Sequence, residues 1–119
     1  MAVHNDLGKK GEQLAVKHLQ QKGYTILATN WRYLKAEIDI IAQQGKNLVV
    51  VEVKTRSSDV ISTPMEAVNP KKIKLLVTAA NAYVVENNLD VEVRFDVVSI
   101  VKKGADFSIE HTQEAFLFF

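Results

Sequence analysis

The run 48–54, LVVVEVK, constrains this chain more than any other stretch. β-branched residues dominate it, and Gly45 in the QQGKN turn material just before it sets its start. Side chains alternate along a strand, so Val49, Val51 and Val53 point one way. Leu48 and Val50 point the other way, followed on the same face by Glu52 and Lys54. A strand apolar on both faces needs a layer on each side, and helices supply such layers. The sequence offers a helix directly downstream. Asn69 is a natural N-cap, Pro70 suits the first helical position, and Ile73, Leu76, Val77, Ala80 and Val84 recur at helical spacing up to about Glu86. VEVRFDVVSIV (91–101) then reads as another strand. A strand–helix–strand step of this length implies a parallel pair joined by a right-handed crossover.

The upstream half completes the pattern. Residues 6–22 form an amphipathic helix with Asp6 at its start, a stripe of Leu7, Gly11, Leu14, Ala15, His18 and Leu19, and Gly23 as its stop. YTILATN (24–30) and AEIDIIA (36–42) read as strands, joined by a short polar link. The short turn from 36–42 into 48–54 predicts an antiparallel hairpin. Residues 55–63, TRSSDVIST, lack periodicity and read as a loop, with a turn at 64–68. FSIEHT (107–112) reads as a final edge strand, and AFLFF (115–119) is an apolar tail. The expected fold class is α/β: a mixed central sheet flanked by helices, in one domain spanning 1–119.

Composition sets outer bounds. A chain of 119 residues with 47% hydrophobic and 24% charged residues supports one compact core. A net charge of +1 does not by itself indicate nucleic acid, so local clusters must carry any such reading. The absence of cysteine excludes disulfide scaffolds and thiolate zinc sites. No apolar leader or membrane-length stretch is visible, which predicts a soluble, cytoplasmic protein with no membrane partner.

Chemistry concentrates on two strands. Glu52 and Lys54 share a face, and strict alternation puts Glu37, Asp39 and Ile41 on one face of 36–42, opposite Ile38 and Ile40. An antiparallel register can bring Asp39 beside Glu52. Two carboxylates at close range repel unless a cation lies between them. Mg²⁺ is a fitting cation, because it takes oxygen ligands and needs only one or two carboxylates besides water and phosphate. Lys54 would then orient a water or hold a phosphate. The plain alternative is an ion-pair cluster at a sheet end, and spacing alone favours it.

The pattern D-x12-E-V-K from Asp39 to Lys54 resembles the D…(D/E)xK signature of the PD-(D/E)xK nucleases, and the element order resembles their restriction-endonuclease-like core. More closely, GKKGEQLAVKHLQQKGYTIL, NWR, EIDIIA, VVVEVKTR, MEAV and RFDVVSI together resemble the YraN-like family of predicted endonucleases, similar to Holliday-junction resolvases. The resemblance covers nearly the whole chain. It implies an endonuclease that hydrolyses DNA phosphodiester bonds, in branched or damaged DNA. It implies that Asp39 and Glu52 hold Mg²⁺ or Mn²⁺, with the Val53 carbonyl as a further ligand, and that Lys54 serves catalysis. Glu12 in GKKGE matches the helix glutamate that such nucleases place beside the metal; its other reading is an exposed helix charge. One departure is Ala36, where the family pattern has glycine, a change that disfavours positive φ.

Around this centre, Arg32, Lys35, Arg56, Lys71 and Lys72 are candidates for phosphate contacts, and Thr55 for a substrate hydroxyl contact; a solvated face is the bland reading of the lysines. Trp31 reads as core rather than as a base-stacking platform. Asp96 suits a pair with Arg94, and His4, His18 and His111 show no metal-ligand spacing. A homodimer would suit cutting two strands of a junction symmetrically. The competing function is a non-catalytic nucleic-acid-binding or assembly protein on the same scaffold.

Overall fold

The structure, a computed structural model, describes residues 3–58 and 69–115, with side chains from residue 6 onward. The order is α1 (Val3–Gln21), β1 (Thr25–Tyr33), β2 (Ala36–Gln44), β3 (Asn47–Ser57), α2 (Pro70–Glu86), β4 (Glu92–Lys103) and β5 (Asp106–Thr112). The five strands form one sheet in the order β1-β2-β3-β4-β5. β3 and β4 are parallel, and the other neighbours are antiparallel. This is the expected mixed sheet with a helix on each face, compatible with a restriction-endonuclease-like core. The predicted turn at 64–68 and the tail 116–119 lie outside the described residues.

The two faces follow from β3. Val49 and Val51 join Ala15, Leu19, Val98 and Ile100 under α1. Leu48 and Val50 join Leu76, Ala79, Ala80 and Phe95 under α2. Burying each side chain of this size contributes about 1.5–3 kcal/mol, so β3 alone anchors both layers. α2 begins as its sequence predicts: Asn69 Oδ1 accepts from the Lys72 N–H at 2.9 Å, and Pro70 occupies the first turn. Gly45 takes φ +59 in the two-residue turn between β2 and β3.

Four differences from expectation bear on the site. α1 starts at Val3, so Asp6 is not its cap but lies in its first turn, where a negative charge suits the helix dipole. β1 runs on through Tyr33, absorbing most of the expected polar link. β3 runs on through Ser57, because Thr55, Arg56 and Ser57 pair with Ile100, Val101 and Lys102 of β4. Their polarity made them read as a loop, but a parallel ladder is formed by backbone, and the long apolar β4 provides it. The fourth difference is inside β2. Ile38 and Ile41 both lie on the α2 side, whereas Ile40 lies on the α1 side. Alternation therefore slips at Asp39, and Ile41 does not share a face with Glu37 as strict alternation requires. Opposite the slip, Asn30 of β1 sits in the left-handed region at φ 51. Ala36 is not among the residues of positive φ, and its methyl group is buried in the α2-side cluster.

Candidate active site

The site forms where two strands part. β2 and β3 pair as far as Ile40 and Val51. The next step would bring Asp39 opposite Glu52, and there the ladder stops. The Val53 N–H, deprived of a strand partner, donates instead to Asp39 Oδ2 at 2.8 Å. Leaving that N–H unmade would cost about 1–3 kcal/mol. This bond therefore holds the Asp39 carboxylate in the seam although Glu52 repels it.

Glu52 is buried, with 3% of its side chain exposed. Two ammonium groups compensate it. Lys54 Nζ lies 3.1 Å from Glu52 Oε2, and Lys72 Nζ makes a still closer pair with the same oxygen. Lys72 reaches it because the Asn69 cap fixes the first turn of α2 directly above the seam. Burial works against the charge on Lys72, but its bond to Glu52 raises its pKa overall. A cavity of about 300 Å³ opens here, bordered by Lys35, Glu37, Asp39, Glu52 and Lys72 on its polar side and by Leu75 and Leu76 on its apolar side.

Asp39 behaves as a frustrated acid. Burial, then the neighbouring charge of Glu52, push its carboxyl up to about 7. The Val53 N–H opposes this, and Glu12 adds to it. Glu12 thus belongs to the electrostatics of the site. Its Oε1 accepts from Asn30 Nδ2 at 3.0 Å, across the irregular step that faces Asp39. Gly11 explains how α1 comes close enough. A Cβ at Gly11 would run into the Thr55 side chain, 2.9 Å from its Cβ and nearer still to its hydroxyl.

The other candidates divide. Arg56 continues the row begun by Glu52 and Lys54, beside Ser99, Ser108 and Glu110. Lys35 lines the cavity, and Lys71 is exposed on the first turn of α2. Arg32 is exposed and bonds Glu37 at 3.1 Å. Thr55 faces α1 and packs on Gly11, so it does not line the cavity. Trp31 is half-buried against Tyr33 and Tyr83. Sequence reasoning named Lys72 only as a phosphate contact and missed its bond to Glu52; the Asn69-Pro70 cap was the available signal. It also missed that His111 joins Asp96, with 2.7 Å between Nε2 and Oδ2. Among the described residues, no three His, Cys, Asp or Glu side chains enclose a common point, and no helix is long and apolar enough to cross a membrane.

Comparison with known proteins matches this architecture to one family. The model of the "Uncharacterised protein family UPF0102" matches residues 11–100, a span that holds Glu12, Asp39, Glu52, Lys54 and Lys72. A UPF0102 protein of Flavobacterium psychrophilum is 57% identical, with both chains covered in full. One from Christiangramia forsetii is 56% identical over the same extent. One from Bacteroides thetaiotaomicron is 47% identical, over 98% of this chain and 96% of its own. On this likeness, which runs end to end, the chain belongs to the UPF0102 family.

Proposed function

We propose that this protein is a metal-dependent endonuclease that hydrolyses DNA phosphodiester bonds, with Asp39, Glu52 and Lys54 at its centre. One observation carries the reading. Two carboxylates, Asp39 and Glu52, meet across a broken strand ladder, with Lys54 and Lys72 paired to Glu52 and with Lys35 and Glu37 at the cavity border. A pure ion-pair cluster would need only Glu52 with its two lysines. Asp39 adds a second carboxylate that no described ion pair answers, and burial and the charge of Glu52 raise its pKa.

The residues fit a hard divalent cation. Asp39 and Glu52 supply oxygen, the ligand type that Mg²⁺ or Mn²⁺ takes alongside water and substrate phosphate. The bound ion would lower the pKa of water and stabilise charge at the phosphorus. The protein's own groups do the rest. Lys54 orients the attacking water or neutralises a phosphate oxygen. Lys72 and Lys35 border the cavity where the phosphodiester enters, and Glu12 adjusts the charge on Asp39. Phosphate contacts of this kind position the backbone without reading sequence. The resemblance to junction-resolvase-like nucleases makes branched DNA the substrate to try first.

The test is cleavage of linear, flapped and four-way-junction DNA with and without Mg²⁺ or Mn²⁺, by wild type and by Glu52→Gln. Metal-dependent cutting that falls by about 10²-fold or more in the variant supports the assignment. Equal cutting by both proteins removes it. DNA retention with no metal-dependent cutting replaces it with a binding module.

A further inference from the structure

The turn between β1 and β2 carries an anomaly unrelated to the site's acids. It has two residues, Leu34 and Lys35, closed by the Tyr33–Ala36 pair. Leu34 holds φ +55, in the left-handed region. Such hairpin turns favour Gly, Asn or Asp, because a branched apolar side chain is strained there. The leucine is also 84% exposed, more than Leu27 and Val85, the other large exposed hydrophobics among the described residues. Isolated exposed apolar residues are ordinary. What is unusual is one that fails both the backbone preference and the hydration preference of its position, so folding does not account for it.

Its surroundings suggest a use. Lys35 next to it borders the catalytic cavity, and the exposed Arg32 lies on the strand below. Beside the tip is an apolar hollow of about 380 Å³ lined by Tyr33, Leu34, Lys35, Ala36, Leu75 and Thr78. Leu34 is five residues from Asp39 along β2, roughly 17 Å of extended chain, so one DNA molecule can touch both.

We propose that the β1–β2 tip is a DNA-unstacking element. Leu34 inserts into a base step at a break in the helix, a branch, flap or nick, and the apolar hollow takes the displaced base. Lys35 and Arg32 hold the flanking phosphates. Apolar wedges of this type open base steps where stacking is already weak, which makes discontinuous DNA the preferred substrate class. This rests on the nuclease reading for its ligand, DNA, but not for its chemistry.

The experiment uses the full chain in metal-free buffer, so that nothing is cut. Flapped DNA carries 2-aminopurine at the branch, and binding is followed by anisotropy alongside an uninterrupted duplex. Wild type should raise the 2-aminopurine fluorescence. Leu34→Gly and Leu34→Asn suit the backbone and should fold at least as stably, which thermal melting checks. They should lose most of that rise and bind flapped DNA about tenfold more weakly, with duplex affinity unchanged. Leu34→Met should retain both signals. Unchanged fluorescence and affinity in the glycine and asparagine variants overturns the proposal. So does an equal loss on uninterrupted duplex, or a change in oligomeric mass with DNA binding intact, which would make the tip a protein contact. Neither readout needs cutting, so failure of the nuclease reading and failure of this one leave separate records.

Discussion

Two aspartates are built into the strands on either side of β3, and they are treated in opposite ways. Asp96 of β4 is fully buried and fully answered. Arg94 donates to both of its oxygens at 3.0 and 2.9 Å, His111 lies 2.7 Å away, and the Glu114 N–H donates at 3.1 Å. Burial acts to raise its pKa, but the bonds from His111 and Arg94 prevail and hold it below the ordinary value. Asp39 is less buried, accepts one backbone N–H, and faces Glu52; burial and that neighbour push it up to about 7. The same residue type is a fastener in one place and an unmet demand for positive charge in the other. Satisfied buried charge marks structure, and unsatisfied buried charge marks a place held open for something else.

The largest expected effect comes from breaking the fastener. Asp96 also ties the chain beyond β5 to the sheet: Glu114 bonds its carboxylate, and the Ala115 N–H donates to the Phe95 carbonyl at 2.8 Å. Asp96→Asn leaves Arg94 buried without its countercharge. It should destabilise the fold by about 3–5 kcal/mol, read as a lower urea midpoint with an unchanged slope. The sign with pH follows from the lowered pKa. The stabilisation is present above the unfolded value of 3.8 and is lost as pH falls through the folded one. Wild type should therefore show an acid limb that Asp96→Asn lacks. If the variant melts like wild type, Asp96 is not the fastener described.

Next in size is the contact that sets α1 between the two aspartates. α1 directs Glu12 towards Asp39 and His18 towards His111, whose rings lie 6.1 Å apart, edge to face. Both positions depend on Gly11 seating against Thr55. Gly11→Ala should cost about 1–3 kcal/mol by overpacking. Gly8, on the same helix, has no atom near the place its Cβ would take. Gly8→Ala should instead stabilise by about 0.5–1 kcal/mol, the ordinary gain in a helix. Opposite shifts in melting temperature confirm that Gly11 is retained for close approach. Equal shifts remove that explanation.

How much of this was legible beforehand depends on what each feature is made of. The layers were, because β3 and β4 are apolar runs and α2 carries its own cap and stop. Glu52 and Lys54 were, because two residues apart on one strand they must share a face. Asp39's position was legible only as a register option, and its face was read through an alternation that slips at that residue. The slip involves the left-handed Asn30 on a neighbouring strand, and a strand read alone shows neither. Thr55, Arg56 and Ser57 were hidden because their strand character comes from β4, more than 40 residues on. The Asp96 network was hidden for the same reason. It gathers Tyr24, Arg94, Asp96 and His111 from two strands and the link between α1 and β1, by bonds that no local pattern encodes.

The smallest expected effect probes the comparison most directly, because its sign is unusual. Asp39→Asn keeps an oxygen to accept the Val53 N–H and removes the charge that Glu52 and Glu12 oppose. In wild type the folded pKa of Asp39 lies above its unfolded value of 3.8, so the folded state binds the extra proton between the two. Stability is then fully present below 3.8 and declines as pH rises through about 7. Without divalent metal, Asp39→Asn should stabilise the fold at pH 8 by about 1 kcal/mol after relaxation of the seam, read as a higher melting temperature, and leave stability nearly unchanged near pH 4. Adding Mg²⁺ or Mn²⁺ at pH 8 should reverse the order, since wild type gains by binding the ion and the variant loses a ligand. The stabilisation and its reversal test different claims. A variant less stable than wild type in metal-free buffer at pH 8 would make Asp39 a second fastener, like Asp96. A more stable variant whose order the metal does not reverse would keep the frustrated charge but deny that a divalent cation relieves it, leaving Lys54 and Lys72 as the only cations the seam was built to hold.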